Sequence, residues 1–412
     1  MTKAERIKNT IQKTKEYRKT LKPVTFQLKL QNLSKRKKET LKRAFLEAKW
    51  FYNWLVSDLS RLNLPANKIK TVEVKIRNTF EERPLTILGS QVKQEIANRL
   101  KGNLKSLAVL KKNGHKVGCL KPKKFVNSIP LIQYGITYSL DFTRNRVRIQ
   151  KLGNFRVLGL HQIPSYAEIA NAVLVRKPSG YYLHITCYFP KDKYYSSNLI
   201  DRDIGIDFGV GWKLTLSNGI KIDFEIHETP RLKRLQRKLA KTKKGSRNRK
   251  KVQFLLRKEY EKLTNRRKDA QNKILAFLKI YRRVVFQDDW VKGWSALFGR
   301  QVHSSGVGGL KSRLRTSLET PTTVERFEPT SQECYACGRR HELSLSDRVI
   351  KCYCGWICDR DLNASLVILR KGLGLTPDQA VGLDRPELKP LEKEAAARIL
   401  GSNPYIRVSF LQ

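Results

Sequence analysis

The N-terminal half of the chain alternates between strand-like and helix-like patterns of apolar residues. In the stretch VTFQLKLQ, every second residue from Val24 to Leu30 is apolar, which is the period of a half-buried strand. Apolar residues then recur at steps of three and four from Leu41 to Leu59, after a candidate N-cap at Ser34, so the pattern predicts a long amphipathic helix. A second helical pattern covers about 91–112, and strand patterns return between about 130 and 195. Together they predict a β-domain interrupted by a helical insertion.

The C-terminal half opens with a hairpin pattern and continues with basic helices. Residues 201–225 contain strand patterns joined at Ser-Asn-Gly, a sequence suited to the tight turns of hairpins, and a parallel or mixed sheet is expected to begin here. Residues 231–268 carry leucines at helical spacing and break at Lys-Lys-Gly-Ser, which predicts two helices. Beyond Lys371 proline and glycine recur, and we expect a weakly ordered tail.

The charge of the chain indicates a polyanionic partner. It has 84 lysine and arginine residues against 36 aspartate and glutamate residues, a formal net charge of +48. Such self-repulsion destabilises a compact fold unless a polyanion neutralises it. Residues 231–268 hold 18 of the basic residues and two glutamates. A solvated face is the ordinary explanation of a charge run, but this imbalance is too great for intrahelical pairing and favours contact with nucleic-acid phosphates.

The sequence predicts neither a membrane-spanning protein nor a secreted one. No stretch of about 18 apolar residues is present, so we expect no membrane partner. No apolar signal-peptide core follows Met1, so secretion is not expected either. The first 22 residues are interpreted as a basic arm.

Five of the seven cysteines fall within residues 334–358, a clustering typical of a metal site. The spacing is Cys-x-x-Cys, then 14 intervening residues, then Cys-x-Cys. The candidate ligands are Cys334, Cys337, Cys352 and Cys354. Four thiolates would bind zinc tetrahedrally and leave no position for water, so the predicted role is structural. Because the second pair is one residue tighter than usual, Cys358 or His341 stays open as an alternative ligand. A disulfide framework is disfavoured in a basic chain without a signal peptide, which indicates a reducing compartment.

Three segments place acidic residues where strands or helices are predicted to end. Asp207 lies between glycines in GIDFG, Asp361 precedes a helical run in CDRDLNAS, and the strand RRVVFQDDW ends in Asp288 and Asp289. Simpler explanations exist, because a strand-end acid often caps a turn and Asp361 stands where an N-cap is common. Brought to one edge of a sheet, three carboxylates would hold two magnesium ions about 4 Å apart for attack of water on a phosphodiester.

Taken together, four motifs resemble a known family: GIDFGVGWKLTLSNG, RLKRLQRKLAKTKKGSRNRKK, TSQECYACG and CGWICDRDLNAS. They are similar to the TnpB proteins of insertion-sequence transposons and to their relatives, the compact type V CRISPR effectors. The resemblance implies an RNA-guided DNA endonuclease, with a guide RNA and target double-stranded DNA as partners and with magnesium and structural zinc as cofactors. It does not separate a transposon role from a CRISPR role. Such a protein is expected in the prokaryotic cytoplasm, at the nucleoid when bound to DNA.

The resemblance also implies a multidomain α+β fold. An OB-like β-barrel, the wedge, would carry a helical recognition insertion, and an RNase H-like RuvC nuclease domain would carry an inserted zinc ribbon. The implied boundaries are the arm at 1–22, the barrel at 23–34 and 120–198, the insertion at 35–119, the nuclease domain at 199–328 and 359–375 with basic helices at 229–268, the ribbon at 329–358 and a tail at 376–412.

Carried over by motif, Asp207 matches the first acid of the RuvC site and Asp361 the third. The four cysteines match the ribbon ligands, with the third displaced by one position. The middle acid departs from the family pattern, because Gln287 stands where a glutamate belongs. Side chains alternate along a strand, so Asp289 shares the face of Gln287, whereas Asp288 points into the opposite layer. Asp289 is therefore the expected middle ligand, with a side chain one methylene shorter than glutamate.

Gln287 also favours a second hypothesis, a guided DNA-binding protein that represses transcription without cutting DNA. Asp207, Asp361 and the cysteine cluster favour the nuclease. A third hypothesis is a general RNA-binding protein of high positive charge, but such a protein has no need of acids at three strand or helix ends. Metal-dependent cleavage would separate the three.

Overall fold

The computed structural model of the chain describes residues 2–76, 79–195, 200–299, 302, 306–319, 321–344, 346–380 and 387–411. The chain divides into two compact units, Met1–Tyr194 and Tyr195–Gln412, and its secondary structure is mixed α/β. Among the helices in the described ranges, none combines membrane-spanning length with an apolar sequence.

The N-terminal unit has helices inserted after its first strand. Its helices are α1 (Lys3–Thr20), α2 (Lys35–Ser57), α3 (Ser90–Lys112) and α4 (Lys191–Tyr195), with 3-10 turns at Leu59–Asn63 and Leu160–Gln162. Its strands are β1 (Lys22–Gln31), β2 (Thr71–Ile76), β3 (Thr79–Pro84), β4 (Ser128–Leu131), β5 (Tyr138–Asp141), β6 (Arg146–Ile149), β7 (Gly153–Leu158), β8 (Glu168–Lys177) and β9 (Gly180–Phe189). The basic arm forms helix α1, which Thr2 caps by accepting a hydrogen bond from the backbone N–H of Glu5.

The main sheet of this unit has the strand order β4-β8-β9-β1-β7-β6-β5, with antiparallel pairing throughout. Strand β1 lies at its centre, between β9 and β7, and its predicted alternation buries Leu28 and Leu30 and packs Phe26 against the same core. Tyr134, which follows β4, forms an isolated bridge with Tyr138 at the start of β5. The two edge strands thus approach each other, and the sheet is nearly closed in the manner of a barrel. Helices α2 and α3 interrupt the β-structure in sequence, as the apolar pattern predicts.

The C-terminal unit contains the second sheet and most of the candidate chemistry. Its helices are α5 (Pro230–Lys241), α6 (Arg247–Leu278), α7 (Val291–Phe298), α8 (Val307–Ser317), α9 (Arg360–Gly372), α10 (Pro377–Ala380) and α11 (Pro390–Ile399). Its strands are β10 (Ile200–Asp207), β11 (Leu214–Leu216), β12 (Ile220–Phe224), β13 (Tyr281–Gln287), β14 (Pro321–Val324), β15 (Val349–Lys351), β16 (Ile357–Asp359) and β17 (Ile406–Phe410). Strands β11 and β12 are antiparallel and joined at Ser-Asn-Gly, where Gly219 has a φ of 86°, so the predicted hairpin is confirmed.

The second sheet is mixed and has the strand order β14-β13-β10-β11-β12-β17. Strand β10 pairs in parallel with β13, and β13 pairs in parallel with β14, whereas the other pairs are antiparallel. One face packs Ile204 and Ile206 against α6 and α8. The other face is covered by α9 so closely that a Cβ added to Gly205 would lie 2.2 Å from the backbone oxygen of Ser365. Glycine at this position is therefore what allows α9 to rest directly on β10.

The chain beyond Lys371 forms regular structure, so the prediction of a weakly ordered tail is wrong. Helix α11 packs on α6 and buries Ala395 and Ala396, and β17 pairs with β12 as the sixth strand of the sheet. Proline marks a helix start here, because Pro390 occupies the first turn of α11, where its missing N–H is not needed. Residues 381–386 of this segment lie outside the described part.

Candidate metal centres

Asp207 lies at the carboxyl end of β10, on the face of the sheet that α9 covers. Its neighbour Ile206 is buried on the opposite face and pairs with Phe286 of the parallel strand β13. Alternation along the strand directs Asp207 to the same side as Gly205, where α9 packs. The first turn of α9 carries Asp361. The contact between sheet and helix therefore brings two of the predicted acids to one place.

The N-cap of α9 is Asp359 and not Asp361. One carboxylate oxygen of Asp359 accepts hydrogen bonds from the backbone N–H groups of Asp361 and Leu362, both at 3.1 Å. The other oxygen lies 2.9 Å from Lys221 Nζ. The explanation of Asp361 as an N-cap is therefore wrong, because its neighbour two positions earlier does the capping. This leaves the Asp361 carboxylate available for another role.

The carboxyl group of Asp207 has a high pKa because of its surroundings. Burial, together with the charges of Asp361 and Asp289, raises the pKa of Asp207 to about 7, while Arg360 and Lys311 act in the opposite direction. Like charges raise a carboxyl pKa when they lie within a few ångströms. The structure thus places the three acids in one electrostatic neighbourhood, although they come from three separate segments. A divalent cation would relieve this repulsion, and carboxylate oxygens are the hard ligands that magnesium prefers.

Asp289 is held by a buried lysine of α8. Lys311 Nζ lies 2.7 Å from Asp289 Oδ2 and 2.6 Å from the backbone oxygen of Gln287, and the Lys311 side chain is 5% exposed. Burial lowers the pKa of Lys311, and the ion pair with Asp289 raises it. The sequence reasoning missed this residue. The sequence feature that could have revealed it is a lysine on the apolar face of a predicted helix, next to Leu310 and one turn before Leu314.

Asp288 takes part in a different set of contacts. Its carboxylate forms ion pairs with Arg315 and, at 3.2 Å, with Arg326. The three side chains are each at least 36% exposed. Asp288 therefore belongs to an exposed ion-pair cluster and is not among the charges that shift the pKa of Asp207.

Gln287 is buried, and its side-chain amide is used by a loop. Nε2 donates to the backbone oxygens of Glu325 at 3.0 Å and Glu328 at 2.7 Å, and Oε1 accepts from Thr330 Oγ1 at 2.7 Å. These bonds fix the segment that leads into the cysteine cluster. A glutamate at this position would direct a carboxylate at backbone oxygens. Gln287 is therefore a structural residue here and is not free to act as a metal ligand.

Replacing Gln287 by the glutamate that the resemblance implies at this position is expected to destabilise the protein. The substitution removes the buried donor that the backbone oxygens of Glu325 and Glu328 use, and losing such a partner costs about 1–3 kcal/mol, or more when a charge is involved. Urea unfolding of the two proteins measures the difference. The control Gln287→Met loses the same bonds without adding charge, so a smaller loss is expected. A glutamate variant as stable as the parent would contradict the described role of Gln287.

The four predicted cysteines converge. They are Cys334, Cys337, Cys352 and Cys354, and their sulfur atoms all lie within 4.8 Å of one another. The Sγ–Sγ distances are 3.7 Å between Cys334 and Cys354 and 3.5 Å between Cys337 and Cys352. Sulfurs at the usual zinc distance of about 2.3 Å form a tetrahedron with edges of about 3.8 Å, whereas disulfide-bonded sulfurs lie about 2 Å apart. The four thiols therefore fit zinc.

The two alternative ligands lie outside this cluster. Cys358 lies in β16 opposite Ile350, and burial raises the pKa of its thiol to about 11. The backbone N–H of His341 donates to the backbone oxygen of Gln332 at 2.8 Å. Among the described residues, the cysteine quartet is the group of metal-type ligands that meets the 4.8 Å spacing. The three acids are thus electrostatic neighbours, but their carboxylate oxygens do not all lie within 4.8 Å of one another.

The basic segment forms a pair of antiparallel helices, α5 and α6. Gln236 Nε2 donates to Tyr260 OH at 2.9 Å, and Arg249 Nη1 donates to the backbone oxygen of Leu239 at 2.7 Å, so α5 is fixed against the first half of α6. The break between them, at residues 242–246, contains the predicted Lys-Lys-Gly-Ser. The exposed basic residues of the pair are Arg231, Lys233, Arg234, Arg237, Lys238, Lys241, Lys243, Lys244, Arg247, Lys250, Lys251, Arg257, Lys262 and Lys268.

Comparison with known proteins adds two segment matches and two relatives. Residues 319–368 match the family model described as "Cas12f1-like, TNB domain", and residues 199–284 match OrfB_IS605, described as "Probable transposase". A protein of Streptomyces pristinaespiralis named "Putative RNA-guided DNA endonuclease" is 30% identical over 223 residues, which cover 51% of this chain and 55% of the relative. The match thus spans about half the length of this curated relative.

A solved structure, the cryo-EM complex of Cas12f1 with sgRNA and target DNA, aligns with 84% of this chain and 98% of its own chain. The identity is 15% and the TM-score is 0.24, so this alignment carries no weight for the fold. The two segment matches cover β10 with Asp207, the first four residues of β13, the cysteine quartet and the start of α9, whereas Gln287 lies outside them. They confirm the predicted resemblance of this chain to the TnpB-like family.

Proposed function

We propose that the protein is an RNA-guided DNA endonuclease with a metal-dependent, RuvC-like site. The observation that carries the proposal is the electrostatic proximity of Asp361 and Asp289 to Asp207: burial first, and then the charges of these two acids, raise the pKa of Asp207 to about 7. Two of these acids lie at or just beyond the ends of adjacent parallel strands, and the third lies in the first turn of the covering helix. This arrangement supports an RNase H-like domain at 199–328 and 359–375.

Asp207, Asp289 and Asp361 would hold two magnesium ions, because their donor atoms are all hard carboxylate oxygens. When bound, the ions activate the attacking water and stabilise the charge of the leaving oxygen of the phosphodiester. The protein's own contribution is to place the carboxylates. Helix α9, capped by Asp359, orients Asp361, and Lys311 keeps Asp289 at the end of β13. Asp207 must lose its proton before it can bind a cation, since its pKa is about 7.

The proposed partners are a guide RNA and target double-stranded DNA. Base pairing would select the sequence, while the protein reads backbone shape and a short flanking motif. The α5–α6 pair offers exposed lysines and arginines for phosphates of the heteroduplex or of the displaced strand. We assign the wedge barrel to 23–34 and 120–198, the recognition insertion to 35–119 and a structural zinc ribbon to 329–358. The protein would act in the prokaryotic cytoplasm, at the nucleoid when bound to DNA.

One observation favours a second candidate function, that of a guided DNA-binding protein without cleavage. Gln287 occupies the position of the middle acid, and the substitute Asp289 is engaged by Lys311 at 2.7 Å. If that ion pair persists when metal is present, the site lacks its third acid and the protein only binds. The net charge of +48 suits either function, because both require contact with nucleic acid.

A cleavage assay on the purified protein with its copurified RNA separates these functions. The RNA is sequenced, and a DNA duplex matching its guide segment is incubated with the complex in magnesium or in EDTA. We expect guide-dependent cleavage in magnesium and binding without cleavage in EDTA. Binding without cleavage in both conditions would establish the second function, and binding that ignores the guide sequence would overturn both.

A further inference from the structure

Helix α9 lies between the acidic site and the cysteine cluster and contacts both. One of its faces rests on β10, where only a glycine fits beneath the backbone of Ser365. Strand β16 of the cysteine segment runs directly into α9, so only six residues lie between Cys354 and Asp361 along the chain. A displacement of the cysteine segment would therefore act on the same helix that positions Asp361.

The residue that joins α9 to the cysteine segment is Asn363. It is 0% exposed, and its side chain makes three hydrogen bonds, all to residues beside the cysteine ligands. Oδ1 accepts from the backbone N–H of Tyr335 and from Trp356 Nε1, both at 3.0 Å, and Nδ2 donates to the backbone oxygen of Glu333 at 2.7 Å. Tyr335 follows Cys334, and Trp356 lies two positions after Cys354. One amide therefore links both halves of the cysteine cluster to α9.

Arg370 makes a second connection, two turns further along α9. It is 2% exposed, and Nη1 donates to the backbone oxygens of Cys334, at 3.3 Å, and of Tyr335. Its other terminal nitrogen forms an ion pair with Glu333. The two connections hold the segment around Cys334 against α9, and Asn363 is the nearer of the two to Asp361, two residues away along the chain.

We propose that Asn363 is a positioning residue that couples zinc binding at the four cysteines to the placement of Asp361 in the acidic site. The inference rests on the proposed function, because it takes Asp361 to be a metal ligand. Zinc would fix the backbone at Cys334 and Cys354, and Asn363 would pass that constraint to the first turn of α9. Loss of zinc, or of the Asn363 bonds, would then weaken divalent-cation binding at a site that shares no ligand with the cysteines.

The test is Asn363→Asp, with manganese alone as a spectroscopic probe of the acidic site. The substitution keeps an acceptor for Tyr335 and Trp356 but replaces the Nδ2 donor by an oxygen that faces the backbone oxygen of Glu333. We expect one zinc per chain to be retained and the manganese affinity to fall about tenfold, the usual lower bound for residues that orient metal ligands. Zinc-stripped parent protein should show an affinity weakened at least as much, and stripping should weaken the variant by a smaller factor than it weakens the parent.

Two controls separate the possible failures. Ser365→Ala alters a buried residue of the same helix whose side-chain hydroxyl, among the described residues, bonds the Leu362 backbone oxygen within the helix, so the manganese affinity of this variant should match the parent's. Asp361→Asn should abolish the tight manganese site. If Asp361→Asn weakens binding and neither Asn363→Asp nor zinc removal does, the coupling is overturned and the proposed function stands. If Asp361→Asn leaves binding unchanged, the acidic site itself is wrong and the coupling falls with it.

Discussion

Changing Asp289 to asparagine is expected to reduce cleavage roughly a thousandfold, because loss of one charged metal ligand removes several kcal/mol of transition-state stabilisation. Asparagine is chosen because it keeps the shape of the side chain and can still accept a hydrogen bond from Lys311. The fold should therefore survive, and binding of guide RNA and target DNA should be unchanged. Single-turnover cleavage rates, measured with saturating guide complex, give the effect.

The adjacent residue supplies the matched control. Asp288→Asn removes the same charge from the preceding position, but Asp288 pairs with Arg315 and Arg326 in an exposed cluster. Exposed ion pairs contribute about 0–1 kcal/mol, so cleavage and stability should change little. If Asp288→Asn abolished cleavage and Asp289→Asn did not, the middle acid would be assigned to the wrong residue. If neither changed the rate, the three-acid site would be wrong.

Features set by neighbours in sequence were predicted well. The alternation in β1, the Ser-Asn-Gly hairpin and the break between α5 and α6 all follow from local periodicity and turn chemistry. The cysteine quartet followed from spacing, since two closely spaced pairs can reach one ion only if the intervening chain folds back.

Features that depend on distant segments could not be read from the sequence. In the sequence, Gln287 is interpreted as a lost metal ligand. In the structure, its side-chain amide bonds to the loop at 325–330. The role of Lys311 depends on the packing of α8 against the end of β13, which brings its side chain to Asp289. The DRD motif offers two possible caps, and only the structure shows that Asp359 takes that role. The prolines and glycines of the tail suggested disorder. The order of this segment depends on β12, which pairs with β17 but lies far earlier in the chain, so no local pattern reveals it.

Replacing Cys337 by serine is expected to remove the bound zinc and to unfold the cysteine segment. Structural zinc sites contribute binding energies of about 10–16 kcal/mol in isolated zinc-finger peptides, so even partial loss outweighs other contacts of so small a segment. Cys337 is exposed, so the substitution creates no cavity and tests ligation itself. The zinc content measured by metal analysis should fall from one ion per chain to none, and amide hydrogen exchange should accelerate across 329–358. Protection in α9 should fall as well, because Asn363 and Arg370 bond to this segment.

The chain supplies its own control for this experiment. Cys119 is also exposed and free, but it lies in the N-terminal unit, so Cys119→Ser should keep one zinc and the parent's exchange pattern. Cys358→Ser tests the alternative ligand set, and it should also retain zinc because Cys358 pairs in β16, outside the quartet. Retention of zinc by Cys337→Ser together with its loss from Cys358→Ser would show that the ligand set differs from the one that the sulfur positions indicate.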